Sequence, residues 1–426
     1  MQTQQPRKGA WGIVALLFMF MMVNFADKVI VGLAAVPIMT ELRMSPKEFG
    51  LVGSAFFFLF SLSAVVTGFV VNRVRTKVAL LVMGCIWALV QFPMMFSVGF
   101  GTLLACRIIL GAGEGPAYPV ALHSVYKWFP DKKRAVPSAI ISQGASVGVI
   151  LIVPVLSWII AKYSWHHAFG ALGVFGLIWV ALWFVFGEEG DIEDRAVGMD
   201  GVDALPYSKL LLNGTNLASW SAYFGAYFGL ALVLSWFTAY LVKGLGFSQE
   251  TAGHLTALPF LTGFIVLISG GFLSEWMMKR GVSSRWSRGI LSGACVVIGG
   301  IALLATPLVT DVALKIILIL IGVSLPSIIY ALSPAILAEF TPSSQRGAML
   351  AINSAVGTAA GIIAPFAMGS VIENAASPAE GYGTGFVICG VVTLVGGLVG
   401  LLFLRPEATR AALAGEQRSS VAPASA

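Results

Sequence analysis

The sequence predicts an all-α membrane protein, twelve transmembrane helices in two six-helix bundles with both termini cytoplasmic. Three observations carry that prediction. Hydrophobic residues make up 58% of the 426 positions and charged residues only 11%, far from the roughly 25% charged usage of soluble domains. Apolar stretches of about 20 residues, the helical length that crosses a ~30 Å hydrocarbon core, recur as six, a polar interval and six more. Lysine and arginine crowd onto alternate connections, the asymmetry that sets orientation in a bilayer.

The first bundle, residues 1–187, contains stretches near 11–36, 48–71, 78–99, 101–125, 135–161 and 166–187. The opening MQTQQPRKGAWG runs straight into an apolar stretch too long for a signal-peptide core and without a small-residue cleavage site, so it reads as a retained span. The second stretch is rich in phenylalanine, with Phe56, Phe57, Phe58 and Phe60. The fifth carries Gly144 and Gly148, a G-x-x-x-G face suited to close helix packing. The sixth opens on His166 and His167, which with His123 and His254 sit near span ends and read as interfacial.

Residues 188–216 are the only long charged interval, and their acid, glycine and serine content reads as a cytoplasmic linker. The second bundle, 217–404, has stretches near 217–242, 250–278, 287–307, 312–338, 347–373 and 383–404, and residues 405–426 read as a disordered cytoplasmic tail. With both termini inside, only Arg43, Lys47, Lys162, Lys243 and Lys315 fall outside, against nineteen Lys and Arg in the inner segments. A weak repeat relates the halves. Gly68 to Arg73 follows the second stretch, and Gly271 to Glu275, then Lys279 and Arg280, follows the eighth. The expected location is the inner (plasma) membrane, as a multi-pass protein with the bilayer as its surroundings.

Several function classes drop out. The net charge of +6 needs no nucleic-acid partner in a chain of this composition. Cys85, Cys106, Cys295 and Cys389 are scattered through apolar segments without a C-x-x-C pair or adjacent His, so they read as packing residues, with no metal site. There is no phosphate-cradling glycine loop with Lys-Ser/Thr, which excludes ATP drive by this chain. No cofactor and no enzymatic activity are expected.

Four charged residues lie deep in apolar stretches: Asp27 and Lys28 in the first, Arg107 and Glu114 in the fourth. A charge at bilayer depth costs at least ~2.5 kcal/mol, so such residues face a cavity or each other and mark substrate or proton paths. Arg107 and Glu114, seven residues apart, share one helix face about 10 Å apart along the axis. Asp27 and Lys28 point ~100° apart, so Lys28 can face a central cavity while Asp27 pairs with Arg107. Burial without a fixed partner favours the neutral form of an acid and a neighbouring cation keeps it ionised, which makes Glu114, and Asp27 with it, candidate proton carriers. The alternative is a static neutral cluster of two acids and two bases. The second half offers uncharged polar groups instead, Tyr330, Ser333 and Asn353, as substrate contacts or as helix-packing bonds.

The run Arg107-Ile-Ile-Leu-Gly-Ala-Gly-Glu114-Gly-Pro-Ala-Tyr-Pro119 resembles R-x-x-x-G-x-x-E-G-x-x-x-P, the fourth-helix pattern of the anion:cation symporter group in the major facilitator superfamily. Asn24-Phe-Ala-Asp27-Lys28 is similar to that group's N-Y-x-D-R, and Lys127-Trp128-Phe129-Pro130 with Arg134, and Arg346-Gly347 leading to Asn353 and Pro365, match further positions. The resemblance covers the whole chain and implies the major facilitator fold, alternating access, and symport of a small organic anion with a proton. It implies Lys28 as substrate anchor, with Gln143 on the fifth helix and Phe60 on the second beside it, and Asp27, Arg107 and Glu114 as coupling residues. The sequence departs from the pattern where Asn72 and Arg75 replace the acid and glycine of the loop after the second helix. It departs again where Lys28 stands for Arg, a point charge in place of a planar fork, and where Phe60 and Ala64 stand for Tyr and Gln. The phenylalanines favour a less polar acid. The rival readings are a non-transporting membrane sensor of the same fold and an exporter or exchanger of organic acids. The identity of the anion, and proton against sodium as coupling ion, stay open at this level, and a monomer is expected.

Overall fold

A computed structural model describes residues 9–70, 74–130, 133–190, 192 and 204–421, and every regular element among them is helical. In lipid a spanning backbone must satisfy its own hydrogen bonds, which leaves helices as the natural form for these apolar stretches. The first part of the chain forms α1 (Ala10–Leu33), α2 (Ala35–Glu41), α3 (Pro46–Val70), α4 (Thr76–Gln91), α5 (Phe100–Glu114), α6 (Ala117–Tyr126), α7 (Ala135–Lys162) and α8 (Trp165–Phe186). Then come α9 (Tyr207–Leu211), α10 (Gly214–Ala239), α11 (Gln249–Thr256), α12 (Leu258–Lys279), α13 (Leu291–Ala305), α14 (Val312–Ser324), α15 (Ile328–Phe340), α16 (Ser343–Thr358), α17 (Ala360–Asn374), α18 (Pro378–Phe403) and α19 (Pro406–Val421).

Among the described residues, eleven helices are long and apolar enough to cross a membrane, where the sequence suggests twelve. The difference lies in the fourth stretch. The helix stops after Glu114 and restarts at Ala117 across Gly115 and Pro116. Pro116 has no N–H to continue the ladder, so the stretch becomes two helices of 15 and 10 residues.

The chain divides into two compact units that cut across the expected bundles. The first comprises Met1–Arg195, Ala231–Leu261 and Gly361–Gly385, so two segments of the expected 217–404 bundle belong with the first six spans. Their attachment is specific. A Cβ at Gly50 would come within 2.5 Å of the Pro365 carbonyl, so only glycine lets α3 lie this close to α17. The Phe366 N–H donates to Ser54 Oγ at 3.1 Å, Trp236 Nε1 donates to the Pro365 carbonyl at 2.9 Å, and the Lys47 N–H donates to Glu373 at 3.0 Å. Glu41, which sequence alone leaves without a role, accepts from Trp165 Nε1 at 2.7 Å and lies 2.8 Å from His166 Nε2, fastening α2 to α8.

The second unit comprises Ala196–Leu230, Thr262–Ala360 and Phe386–Ala426. Here residues 406–421 of the expected disordered tail form a helix. Pro406 opens α19, and Ala408, Ala411, Ala412 and Ala414 favour continuation. Leu413 is buried with Leu205 and Leu210 of the expected linker, and with Ile336, Phe340, Met349 and Leu404. Segments read as polar connections thus contribute leucines to a core.

An acid closes one end of each unit. Glu189 accepts from the N–H groups of Thr76 (3.2 Å) and Lys77 (2.9 Å) at the start of α4 and pairs with Lys127. Glu407 accepts from the Ser284 N–H at 2.6 Å, and Glu339 pairs with Arg288 and Ser284. Partial burial pushes the Glu189 carboxyl up, but the Lys127 ammonium and the two backbone N–H donors outweigh it and hold it below the usual carboxylate range. Asn72, and with it the effect of its replacing an acid, lies outside the described residues.

Candidate functional site

The spacing of the fourth-stretch motif has a packing reason. Gly111 in α5 and Gly115, the residue just after that helix, sit one turn apart, and a Cβ on either would overlap the backbone carbonyl of Phe56 or Phe60 on α3. Those glycines bring the two helices into backbone contact. The same approach lays the Phe56 ring against Arg107, 4.6 Å from Cζ to centroid, and brings Phe60 within 5.0 Å of Lys28 Nζ. On the other side of α1, Gly148 approaches so closely that a Cβ would come 2.6 Å from Met22 Cα, seating α7 against the turn that precedes Asn24.

The four charged residues converge within the first unit and are nearly inaccessible: Asp27 1%, Lys28 6%, Arg107 5% and Glu114 1% exposed. Their pairing differs from the expected one. Arg107 Nη1 donates to the backbone carbonyl of Asp27 at 3.1 Å, and the Asp27 carboxylate instead accepts from Gln91 Nε2 at 2.7 Å. An arginine held on a peptide oxygen and stacked on Phe56 orients α1 without hydrogen-bonding the carboxylate. Lys28 Nζ donates to Asn24 Oδ1 at 2.6 Å and lies 3.4 Å from Glu114 Oε2. Glu114, read as distant from its same-helix cation Arg107, therefore has Lys28 as its nearest charge. The faces of Phe25 (4.3 Å) and Phe60 flank the same ammonium.

Asn24 Nδ2, Asp27 Oδ2, Arg107 Nε and both Glu114 oxygens are buried without a direct protein hydrogen bond, and the 3.4 Å contact to Lys28 is an ion pair without hydrogen-bond geometry. Buried polar groups normally find partners. A set with spare donors and acceptors can exchange them, whereas a saturated network resists change.

Gln143 sits half-buried on α7 beside Gly144. Ser333, Asn353 and Tyr330 lie in the second unit and bind one another's neighbourhood: Ser333 Oγ donates to Asn353 Oδ1 at 3.0 Å and shares a 2.7 Å bond with Ser219. Tyr330 packs against Tyr223 and Tyr227, ring centroids 5.1 and 6.3 Å away. Gln91 and Phe25 join the charged group although sequence reasoning passed over them. Formal charge was the signal followed, and a glutamine at the end of an apolar helix carries none, although it is the sole side-chain amide in α4.

The model of the Major Facilitator Superfamily matches residues 16–328 and 281–426. The chain is 26% identical over 403 residues to the hexuronate transporter of Bacillus subtilis (strain 168), covering 92% of this chain and 94% of that one. It is 27% identical over 322 residues to the D-galactonate transporter of Escherichia coli O6:H1, covering 68% and 74%. Its fold is similar to that of a bacterial homologue of the human lysosomal transporter Spinster, with a TM-score of 0.78 at 18% identity over 95% of this chain and 99% of the other.

Proposed function

Because the chain belongs to the major facilitator superfamily, we propose that it carries a small organic anion across the plasma membrane, coupled to proton entry by alternating access. Relatives named for hexuronate and galactonate transport support a carrier of organic acid anions. The observation that carries the finer reading is the Lys28 ammonium, 3.4 Å from Glu114 and flanked by Phe25 and Phe60. A substrate carboxylate arriving at Lys28 competes with Glu114 for the same cation. Glu114, losing its counter-charge in a buried setting, then favours the neutral, protonated form. Anion and proton binding thereby help each other by an equal coupling free energy in both directions. Release of one on the far side weakens the other, which is the requirement of symport.

Asp27, Arg107 and Glu114 are the coupling residues in this scheme, and Lys28, Phe60 and Gln143 contact the substrate. Tyr330, Ser333 and Asn353 belong to the second unit's contribution. In the membrane both termini are cytoplasmic, residues 1–187 and 217–404 form the two six-helix halves, 188–216 connects them, and the chain acts as a monomer. The test is uptake of radiolabelled organic acids into proteoliposomes with an imposed inward proton gradient and no sodium. Accumulation that a protonophore abolishes is the expected result. Binding without flux would identify a sensor, efflux-only transport an exporter, and a strict sodium requirement another coupling ion.

A further inference from the structure

We propose that Gln91 is the positioning residue that keeps Asp27 a titratable carboxyl rather than one half of a fixed ion pair. This rests on the proton-coupled reading above and deepens it. Gln91 is 2% exposed and is the last residue of α4, directly before the turn containing Pro93. Its backbone is confined from the other side, because a Cβ on Gly173 of α8 would come 3.2 Å from Gln91 Cβ. From that anchored position Nε2 reaches Asp27 Oδ1 at 2.7 Å, while Oδ2 of the same carboxyl has no protein hydrogen bond.

The chemistry of the donor matters. A guanidinium bonded to the carboxylate would hold it ionised through the cycle, but the Arg107 hydrogen bond goes to the Asp27 peptide oxygen, and the carboxyl takes its hydrogen bond from Gln91. An amide N–H is neutral, and it can donate to Oδ1 whether the carboxyl is ionised or carries its proton on Oδ2. Gln91 therefore assigns the two oxygens different tasks: Oδ1 fixes the orientation and Oδ2 takes and releases the proton. Among the described residues, the charged groups bearing on Asp27 are Glu114 and Arg107 from α5 and Lys28 from its own helix, and α4 contributes Gln91.

Replacing Gln91 by Leu keeps the volume and removes the donor. Because that donor favours the ionised carboxyl, the midpoint of proton-driven uptake should move to higher pH by about one unit, with substrate affinity within about threefold of wild type. In an Asp27→Asn background the same replacement should change neither uptake nor exchange further. Gln91→Glu, whose protonated form can still donate, should lie between Leu and wild type at acid pH. Unchanged pH dependence in a folded Gln91→Leu protein, or equal losses in both backgrounds, would overturn the proposal. If Gln91→Leu does not fold, Gln91→Asn, which keeps an amide but falls short of Asp27, gives the same readout. Failure of the symport reading shows separately, as wild-type uptake indifferent to the proton gradient. A double-mutant cycle on thermal stability then still reads the Gln91–Asp27 contact, and additive effects would refute it.

Discussion

The two units bury polar side chains of opposite character. In the first, two acids and two bases, Asp27, Glu114, Lys28 and Arg107, lie together with several atoms left without a protein hydrogen bond. In the second, Ser219, Ser333 and Asn353 close a small uncharged network, with Tyr223, Tyr227 and Tyr330 beside it. Their ends nonetheless share parts: Glu189 both accepts from backbone N–H groups and pairs with Lys127 in the first, while Glu407 accepts from the Ser284 N–H and Glu339 pairs with Arg288 in the second. The scaffold is shared and the cores are specialised. Charges with spare bonding capacity can change partners, so the proposed function places the exchange of ligand and proton in the first unit.

The largest effect that could break this contrast comes from Lys28. Lys28→Ala should leave expression intact and weaken organic-anion binding by at least ~100-fold, a loss of about 3 kcal/mol, read as loss of ligand-induced thermal shift. Lys28→Arg should restore charge but not affinity, because a planar fork cannot occupy the point between Asn24, Glu114 and two phenyl faces in the same way. Wild-type affinity in Lys28→Ala would remove the first unit's claim to the substrate.

A sharper division concerns Arg107. Since it bonds the Asp27 peptide oxygen, which Asp27→Asn retains, a double-mutant cycle of Asp27→Asn with Arg107→Gln should give a stability coupling under ~1 kcal/mol. A carboxylate–guanidinium pair at this depth would give several, since breaking a buried pair costs about 3–5 kcal/mol. A coupling of that size would restore the direct pairing expected from sequence.

The second unit should take no part in proton exchange. Ser333→Ala leaves Asn353 Oδ1 without its donor, at a cost of about 1–3 kcal/mol, visible as a lower Tm with an unchanged pH profile of uptake. A shifted profile would mean that proton exchange extends into the second unit.

The smallest effect is at the acid-closed end. The Glu189 carboxyl lies below its usual range, so its contribution to stability is present above the unfolded value of about 4.3 and is lost as pH falls through the lower folded value. Glu189→Gln should lower Tm by a few degrees at neutral pH, with the difference fading below about pH 4. A constant difference across pH would mean that packing, not charge, is what the variant removes.

Composition and span length made the helical membrane fold legible, because the hydrocarbon core imposes length and apolarity on every crossing segment. The motif on α5 was legible because its glycines and charges share one helix face. What stayed hidden depended on tertiary approach. The break at Gly115-Pro116 changes a span into two helices, and Leu413 in the 405–426 segment finds a core only when Leu205 and Leu210 meet it. The attachment of 231–261 and 361–385 to the first unit rests on backbone contacts such as Gly50 to Pro365, which no hydropathy pattern records. Charge complementarity suggested Asp27 with Arg107, but a neutral glutamine occupies the carboxylate and a peptide oxygen occupies the arginine.

The central claim, that Glu114 is the acid exchanging its counter-ion with the substrate, is tested most directly by Glu114→Gln in proteoliposomes. Counterflow exchange and proton-driven accumulation are measured in the same preparation. The account predicts exchange near the wild-type rate, since the amide mimics the protonated acid, together with loss of accumulation and of its pH dependence. Wild-type accumulation with a wild-type pH response in Glu114→Gln would contradict it.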